Sequence, residues 1–511
     1  MWFDAQRQVV VYDTPGDDRI ISSVPNAVRL HNGYVAAPST LYNLQLLRHL
    51  GYPTPQPMDS TYDWPGRHKP FNAQRVTANF LCVHPRAFVL SDMGTGKTLA
   101  SLWASDFVMR CNPGMRWLIV APLSTLERVW ADEIFRNFLG RRKAVVLHGS
   151  AQKRRELLQT DVDYYIVNYD GLEVLQKELA LRTDIRGAIV DEASAYRNRT
   201  TTRHHIGRKL LASRDYIWMM SGTPVPNGPT DAYGIAKLVN NCFGESWASY
   251  HDRTMQKVSQ FKWVPKQGAH EQAYKLMQPA VRFAISDCVD LPPCTVQARD
   301  VELSPDQNKA FKEMKQTLQI MASKGPITAA NEAVLRLKLL QIACGAIYGP
   351  DREIHHVSAA PRLKVLREIM EQCREKIIVF APFTSVVSML SKELRKDYSV
   401  EVINGEVSAK QRNEIFSAFM GAVHPRVLVA DPGTMSHGLT LTAASTIVWY
   451  APTDRTEIYL QANKRIDRPG QTKATTIVQL AATAIEREIY KRLEGNESMQ
   501  GLVLALAKGK L

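Results

Sequence analysis

Residues 87–98 read Ala-Phe-Val-Leu-Ser-Asp-Met-Gly-Thr-Gly-Lys-Thr. Ala87–Leu90 is a short apolar run of the kind that forms a buried parallel strand. Beyond it, Leu99–Phe107 sets Leu99, Leu102, Trp103 and Phe107 on one face of a helix. The eight residues from Ser91 to Thr98 therefore sit on a strand–loop–helix junction. In the loop Met93-Gly94-Thr95-Gly96, the two glycines allow a tight fold with backbone N–H groups aimed at phosphate oxygens. Lys97 offers a cation to the β- and γ-phosphates of a nucleotide, and the Thr98 hydroxyl suits Mg²⁺. Ser91 stands where the strict pattern has glycine, a small residue for a smaller one.

The same rhythm extends outward. Runs rich in Val and Ile recur at Trp117–Ala121, Ala144–His148, Tyr164–Asn168, Ala188–Asp191 and Tyr216–Met220. They return at Lys376–Ala381, Val400–Ile403, Arg426–Ala430, Thr446–Tyr450 and Thr475–Leu480. Each is a candidate strand, and the amphipathic segments between them are candidate crossover helices. The expected fold class is α/β, with two parallel-sheet lobes. From about Asn240 to Pro361 no strand rhythm appears. Phe311–Gln319 and Asn331–Cys344 read as helices there, and Leu291-Pro292-Pro293 reads as an extended linker. Pro and Gly punctuate the N-terminal stretch up to Pro65-Gly66. The division expected is a small module over 1–64, a first lobe over 65–240, helical insertions and linker over 241–360, and a second lobe over 361–511.

Composition narrows the class. The 511 residues are 45% hydrophobic and 22% charged, which excludes disorder as the main state. No apolar run approaches the ~18 residues of a membrane span, and the N-terminus lacks the pattern of a secretory signal. Seven cysteines without a CxxC pair argue for a reducing, cytoplasmic setting over a disulfide framework or a zinc site. With 64 Lys+Arg against 50 Asp+Glu, the net charge of +14 raises the expectation of a polyanionic partner.

Two further motifs carry chemistry. Gly187-Ala188-Ile189-Val190-Asp191-Glu192 delivers two carboxylates to the end of a strand. Asp191 is placed to reach Mg²⁺ through water, and Glu192 to orient the attacking water and take its proton. Far downstream, Gln461-Ala462-Asn463-Lys464-Arg465-Ile466-Asp467-Arg468-Pro469-Gly470-Gln471 puts Arg465 and Arg468 three apart, the spacing of one helical face. Arginines so placed can offset charge developing on a γ-phosphate.

Taken in order, these motifs resemble those of the Swi/Snf-type ATPases of helicase superfamily II, compact bacterial or bacteriophage type, over roughly 70–492. Pro70-Phe71-Asn72-Ala73-Gln74 resembles the adenine-reading motif, and Leu118–Ser124 resembles motif Ia. Ser221-Gly222-Thr223-Pro224 with Asn227 resembles motif III, Ile378–Ala381 motif IV and Gly438–Ala444 motif V. The Leu-Pro-Pro linker and the Arg-Pro-Gly-Gln close are typical of this branch. The resemblance implies two RecA-like P-loop lobes with a helical insertion between them and ATP in the cleft. Gln74, Gly438 and Gln461 join the loop residues as nucleotide contacts, Thr98 and Asp191 hold Mg²⁺, and Lys97, Asp191, Glu192, Arg465 and Arg468 form the catalytic set. It also implies nucleic-acid backbone contacts at Ser124, Thr223, Thr384, Ser385, Thr434 and Ser436, since hydroxyls and amides read no base.

Ser194 and Asp467 replace the histidines many relatives carry, and Ala451-Pro452-Thr453-Asp454 occupies the place of a common Trp-Asn-Pro. These departures bear on coupling to DNA rather than on hydrolysis. Val24–Leu30 with Gly33-Tyr34-Val35 and Pro38 faintly resembles the module preceding the motor in annealing helicases and fork remodellers, the alternative being an unrelated cap on the first lobe. The expected function is a DNA-stimulated ATPase and translocase on duplex or branched DNA in replication, recombination or repair. It would act as a monomer, independent of sequence and membrane, with replication or recombination proteins as further partners. An ATP-driven remodeller of protein–nucleic-acid complexes, such as stalled RNA polymerase, is the alternative. A non-hydrolysing scaffold is disfavoured by the retained Lys97, Glu192, Arg465 and Arg468, and a restriction motor by the missing nuclease constellation.

Other features admit plainer readings. The basic run Arg197–Arg214, Arg141-Arg142-Lys143 and Lys153-Arg154-Arg155 could line a nucleic-acid path or be solvated faces. His204-His205 and His355-His356 read as surface pairs. Trp103, Trp117 and Trp218 read as core, whereas Trp2, Trp247 and Trp263 lie outside the lobes and could stack on bases or simply pack.

Overall fold

The computed structural model describes residues 1–14, 18–59, 61–225, 228–259, 262–288, 292–324, 329–348, 353–435 and 440–495. It divides into two compact units, Met1–Cys288 and Val289–Leu511. Each unit is built on a sheet whose strands are all parallel.

In the first unit, β1 (Trp2–Asp4), β2 (Val9–Tyr12), β3 (Val28–Arg29) and β4 (Val35–Pro38) form an antiparallel sheet in the order β1-β2-β4-β3. Val10, Tyr12, Val35 and Ala37 pack there against Leu44 and Leu47 of the helix Leu41–His49. Gln45 of that helix donates to the Cys82 carbonyl at 2.8 Å and to the Tyr216 hydroxyl at 2.9 Å, tying the small sheet to the larger one.

The larger sheet contains β5 (Arg86–Val89), β6 (Arg116–Ala121), β7 (Ala144–Val146), β8 (Tyr164–Asn168), β9 (Ile185–Val190) and β10 (Tyr216–Met220). A hairpin, β11 (Met255–Ser259) with β12 (Lys262–Pro265), stands apart from it, and β13 (Ala280–Val281) completes it. The order is β13-β5-β10-β9-β6-β8-β7. Both faces are covered by helices, so the strand centres are apolar, and Phe88, Leu118, Ile189 and Trp218 are fully buried. Gly187 is required by packing: a Cβ there would lie 2.4 Å from the Trp117 ring.

The second unit opens with β14 (Cys294–Asp300). It continues through the helices Pro305–Lys324 and Ala329–Cys344 to β15 (Ala346–Tyr348) and β16 (Ile354–His356). Its main strands are β17 (Lys376–Phe380), β18 (Val400–Ile403), β19 (Val427–Ala430), β20 (Ala444–Trp449) and β21 (Thr475–Ala481), in the order β14-β21-β20-β17-β19-β18. The helix Ala360–Gln372 is pinned inside by Arg362, whose guanidinium meets the Glu486 carboxylate at 2.7 and 3.0 Å.

The α/β class and both parallel sheets agree with the sequence reading. The stretch expected to be helical departs from it. It contributes the β11–β12 hairpin, β13 and β14 as sheet edges, and the β15–β16 pair. β14 reads Cys-Thr-Val-Gln-Ala-Arg-Asp and is exposed along its length, so it has no apolar run to announce it. It is a strand because all seven residues pair with β21. Among the described residues no helix is long and apolar enough to cross a membrane.

Candidate nucleotide site

In the first unit, β5, β10 and β9 are adjacent and parallel, so the loops leaving their C-terminal ends emerge side by side. That is where open α/β sheets place ligands. β5 leads into Ser91–Gly96 and the helix Lys97–Cys111, β10 into Ser221–Pro224, and β9 into Asp191-Glu192.

The phosphate-loop geometry follows from its residues. Gly94 and Gly96 have φ of +87° and +75°, values a side chain disfavours. Thr95 donates its hydroxyl proton to the Asp92 carbonyl at 2.8 Å. Lys97 Nζ donates to the carbonyls of Ser91 and Asp92, both at 2.8 Å. Ser91, the departure from glycine, makes a bond that glycine could not, its Oγ accepting from the Phe283 amide at 3.0 Å. Asp92 Oδ2 likewise accepts from the Ile285 amide at 3.2 Å. These bonds fasten the loop to the segment after β13. Gln74 is buried against the loop, so a Cβ on Gly96 would lie 2.2 Å from its Nε2. Met93 faces the loop after β10, its Cγ 3.0 Å from where a Cβ on Gly222 would stand, with Lys97 Nζ at 3.7 Å.

Asp191 and Glu192 are held by residues that sequence reasoning missed. Trp130, fully buried in the helical turn Leu126–Ala131, donates its indole N–H to Asp191 Oδ2 at 3.2 Å. Tyr169 donates its hydroxyl proton to the Asp191 carbonyl at 2.5 Å and lies 3.3 Å from that of Glu192. Glu192 has φ +48°, a left-handed conformation costing a non-glycine residue roughly 1–2 kcal/mol. Tyr169 fixes that bend. Burial pushes the Asp191 carboxyl above the usual carboxylate range, while the Lys97 charge and the Trp130 bond oppose the rise. Burial, then the charges of Asp191 and Glu192, pushes the Tyr169 phenol well up, so it stays a donor. Neither Trp130 nor Tyr169 belongs to the motifs named above, and the parallel adjacency of β9, β6 and β8 brings them to Asp191.

Thr98 and Asp191 offer hard oxygen donors. Among the described residues no cluster of three or more His, Cys, Asp or Glu forms. One or two protein oxygens with substrate phosphates is the donor set Mg²⁺ favours, so these residues fit that ion.

In the second unit the helix Thr456–Asn463 carries Gln461 and stops before the arginines. Arg465 and Arg468 therefore do not share a helical face. Both lie in the turn Lys464–Gly470. Asn463 accepts from the Trp449 indole at 2.8 Å, the Leu441 amide donates to the Arg465 carbonyl at 3.0 Å, and Gln471 donates to the carbonyls of Ala444 and Ile466. Arg465 is 3% exposed. Arg468 is half-buried, and burial lowers its guanidinium from the ordinary range. Asp467 pairs with Lys464. The Gln461 side chain is buried, with Nε2 bonded to Glu457 at 3.3 Å.

Of the expected backbone contacts, Ser124 and Thr384 are exposed, Thr223 and Thr434 half-buried, and Ser385 buried. Thr434 donates its hydroxyl proton to the Asp431 carbonyl at 2.8 Å. Asn227, Ser436 and Gly438 lie outside the described residues. Several basic residues prove structural. Arg214 is buried and donates to the carbonyls of Leu179, Arg182, Ile185 and Leu210. Arg141 and Arg142 clamp the fully buried Asp106 at 2.7 and 2.6 Å. His204 is not at the surface as expected: it is buried with Nε2 2.9 Å from the Gly234 carbonyl.

Comparison with known proteins adds a family. The model for the SNF2-related domain matches residues 76–344, and that for the helicase conserved C-terminal domain matches 361–470. The chain is 25% identical over 467 residues to putative protein p41 of Acyrthosiphon pisum secondary endosymbiont phage 1, covering 86% of this chain and 98% of that one. It is 24% identical over 416 residues to an ATP-dependent helicase of Mycoplasma genitalium, covering 77% of this chain but only 38% of that protein. Among solved structures, the Sulfolobus solfataricus SWI2/SNF2 ATPase core in complex with dsDNA aligns over 87% of this chain and 94% of its own. Its identity is 19% and its TM-score 0.41.

Proposed function

The chain is an ATP-hydrolysing member of the SNF2-related family, and on that premise we propose that it is a DNA-stimulated translocase acting on duplex or branched DNA in replication, recombination or repair. The observation that carries the ATP half of this reading is the convergence of Lys97, after β5, and Asp191-Glu192, after β9, at the same end of one parallel sheet, on either side of β10. There the Lys97 charge acts on the Asp191 carboxyl.

In this reading the Gly94–Lys97 loop binds the phosphates through its amides and the Lys97 ammonium. Thr98 and Asp191 hold Mg²⁺, which when bound neutralises charge on the β- and γ-phosphates. Glu192, fixed in its left-handed bend, orients a water and accepts its proton. Gln74 reads the base. Gln461 and Gly438 contribute from the second unit, and Arg465 and Arg468 supply cations toward the terminal phosphate. DNA is engaged through its backbone by Ser124, Thr223, Thr384, Ser385, Thr434 and Ser436. The net charge of +14 supports a polyanionic partner. We read residues 1–64 as an appended module and the two sheets as the motor lobes.

The test is ATP turnover measured with and without DNA, beside Lys97→Ala. Turnover should rise with DNA and fall at least about 100-fold in the variant, the scale of losing one charge stabiliser in the transition state. Turnover indifferent to DNA would sink the translocase reading, and turnover surviving Lys97→Ala would sink the site.

A further inference from the structure

The β11–β12 hairpin has no part in the reading above. Its strands pair with each other and join neither large sheet. The register sets Lys257 opposite Trp263, so the two side chains share one face. Trp263 is 41% exposed, and Val258, near the hairpin's end, is 61% exposed.

The indole is not loose. His251, on the helix Trp247–Thr254, packs edge-on to Trp263 with centroids 4.5 Å apart. Trp247 lies 5.4 Å beyond His251, and the Arg199 guanidinium sits 4.8 Å over Trp247. Trp263 is thus the outermost ring of a ladder rooted in the body of the first unit.

The hairpin strands carry cations and no acid, while Asp252 lies beside His251 at 3.9 Å. From Arg253 to Lys266 the sequence has four cations, Arg253, Lys257, Lys262 and Lys266, and no acid. Arg253 is committed to Glu245 at 2.6 Å, and Lys266 to the Asp252 carbonyl. Lys257 is exposed and makes no ion pair with the described residues. An anchored aromatic ring beside an uncommitted ammonium matches one nucleotide, with a base to stack and a phosphate to pair. In an intact duplex the base faces are already stacked on one another, so the indole gains a partner only where bases are unpaired.

We propose that this hairpin binds a single-stranded stretch of DNA, such as the arm of a fork, with Trp263 stacking on a base and Lys257 pairing with an adjacent phosphate. The inference rests on the DNA-directed reading above and adds a preference for branched over blunt substrates. The test is fluorescence anisotropy with labelled forked and blunt DNA on the full chain. Trp263→Ala should weaken fork binding by about 5- to 100-fold, the range for loss of one base–aromatic stack, with blunt-duplex affinity unmoved. Trp263→Phe should retain most of the fork affinity. Lys257→Glu, at an exposed position that folding does not depend on, should weaken fork binding and flatten its salt dependence. Fork affinity unchanged in Trp263→Ala and Lys257→Glu would overturn the hairpin's role and leave the translocase reading standing. Equal losses on fork and blunt DNA would overturn the preference for unpaired bases. A wild-type chain that binds neither DNA would overturn both inferences together.

Discussion

Replacing Glu486 with glutamine should unfold the second unit well before the first. Arg362 and Glu486 are 1% and 0% exposed, and they meet through two N–H···O contacts of 2.7 and 3.0 Å. Glu486 Oε2 also accepts from the Ala482 and Thr483 amides and the Thr483 hydroxyl at 2.9, 3.0 and 3.0 Å. Arg362 additionally reaches the Tyr450 carbonyl and lies over the Tyr450 ring at 5.5 Å. A glutamine has one acceptor where the carboxylate had two. Whichever way its amide turns, an NH₂ faces either the guanidinium or three donors, and the Arg362 charge is left buried without a counter-charge. Breaking one side of such a pair costs about 3–5 kcal/mol. For a body of this size, each kcal/mol moves the midpoint by about 2–4 °C, giving a drop of about 6–20 °C. Trp449 is the one tryptophan after Cys288, so its ¹⁹F signal in fluorotryptophan-labelled protein reports this unit alone. Glu488→Gln, which removes the partly buried partner of Arg492, should cost under about 1 kcal/mol. Arg362→Met with Glu486→Leu should recover only part of the loss: no charge is orphaned, but the Ala482 and Thr483 donors lose their acceptor. A Glu486→Gln midpoint within about 2 °C of the wild type would refute the reasoning.

Two further substitutions probe the first unit. Trp130→Phe removes the indole N–H from Asp191 while keeping an aromatic ring in its buried site. The Mg²⁺ concentration for half-maximal ATP turnover should rise about 10- to 100-fold, the usual effect of losing an outer partner of a metal-binding carboxylate. The acidic limb of the pH profile should move to higher pH, because one of the three influences opposing the burial-driven rise of Asp191 (the Lys97 charge, the Trp130 bond and the Glu192 amide) is gone. An unchanged Mg²⁺ dependence would remove Trp130 from the site. Gly187→Ala forces a methyl to within 2.4 Å of the buried Trp117 ring and should destabilise the first unit by about 1–3 kcal/mol in denaturant melts. A neutral result would mean that Trp117 can shift.

The strands were legible where burial alone makes them. All eleven Val- and Ile-rich runs are strands, because a parallel strand covered on both faces cannot alternate polar and apolar residues. The phosphate loop was legible because its backbone demands glycine at two left-handed positions. What stayed hidden depends on partners distant in sequence. β14 is polar and owes its existence to β21. His204 is buried only because the Gly234 carbonyl arrives 30 residues later to meet its ring.

The arginine turn shows most clearly how spacing misleads. A three-residue interval suits a helical face, and it suits a tight turn equally well. The choice fell to four hydrogen bonds that no local pattern encodes: the Trp449 indole on Asn463, the Leu441 amide on the Arg465 carbonyl, and the two from Gln471 to the Ala444 and Ile466 carbonyls. Together they stop the helix at Asn463 and lock the following turn against β20. A turn held this way fixes Arg465 and Arg468 to the sheet rather than to one helix face. Their positions therefore depend on the packing of β20, and Arg362 holds the carbonyl of Tyr450, the residue that follows that strand. Loosening Arg362 by Glu486→Gln should accordingly lower ATP turnover even below the melting range. If turnover survived while the midpoint fell, the turn would be held by those four bonds alone.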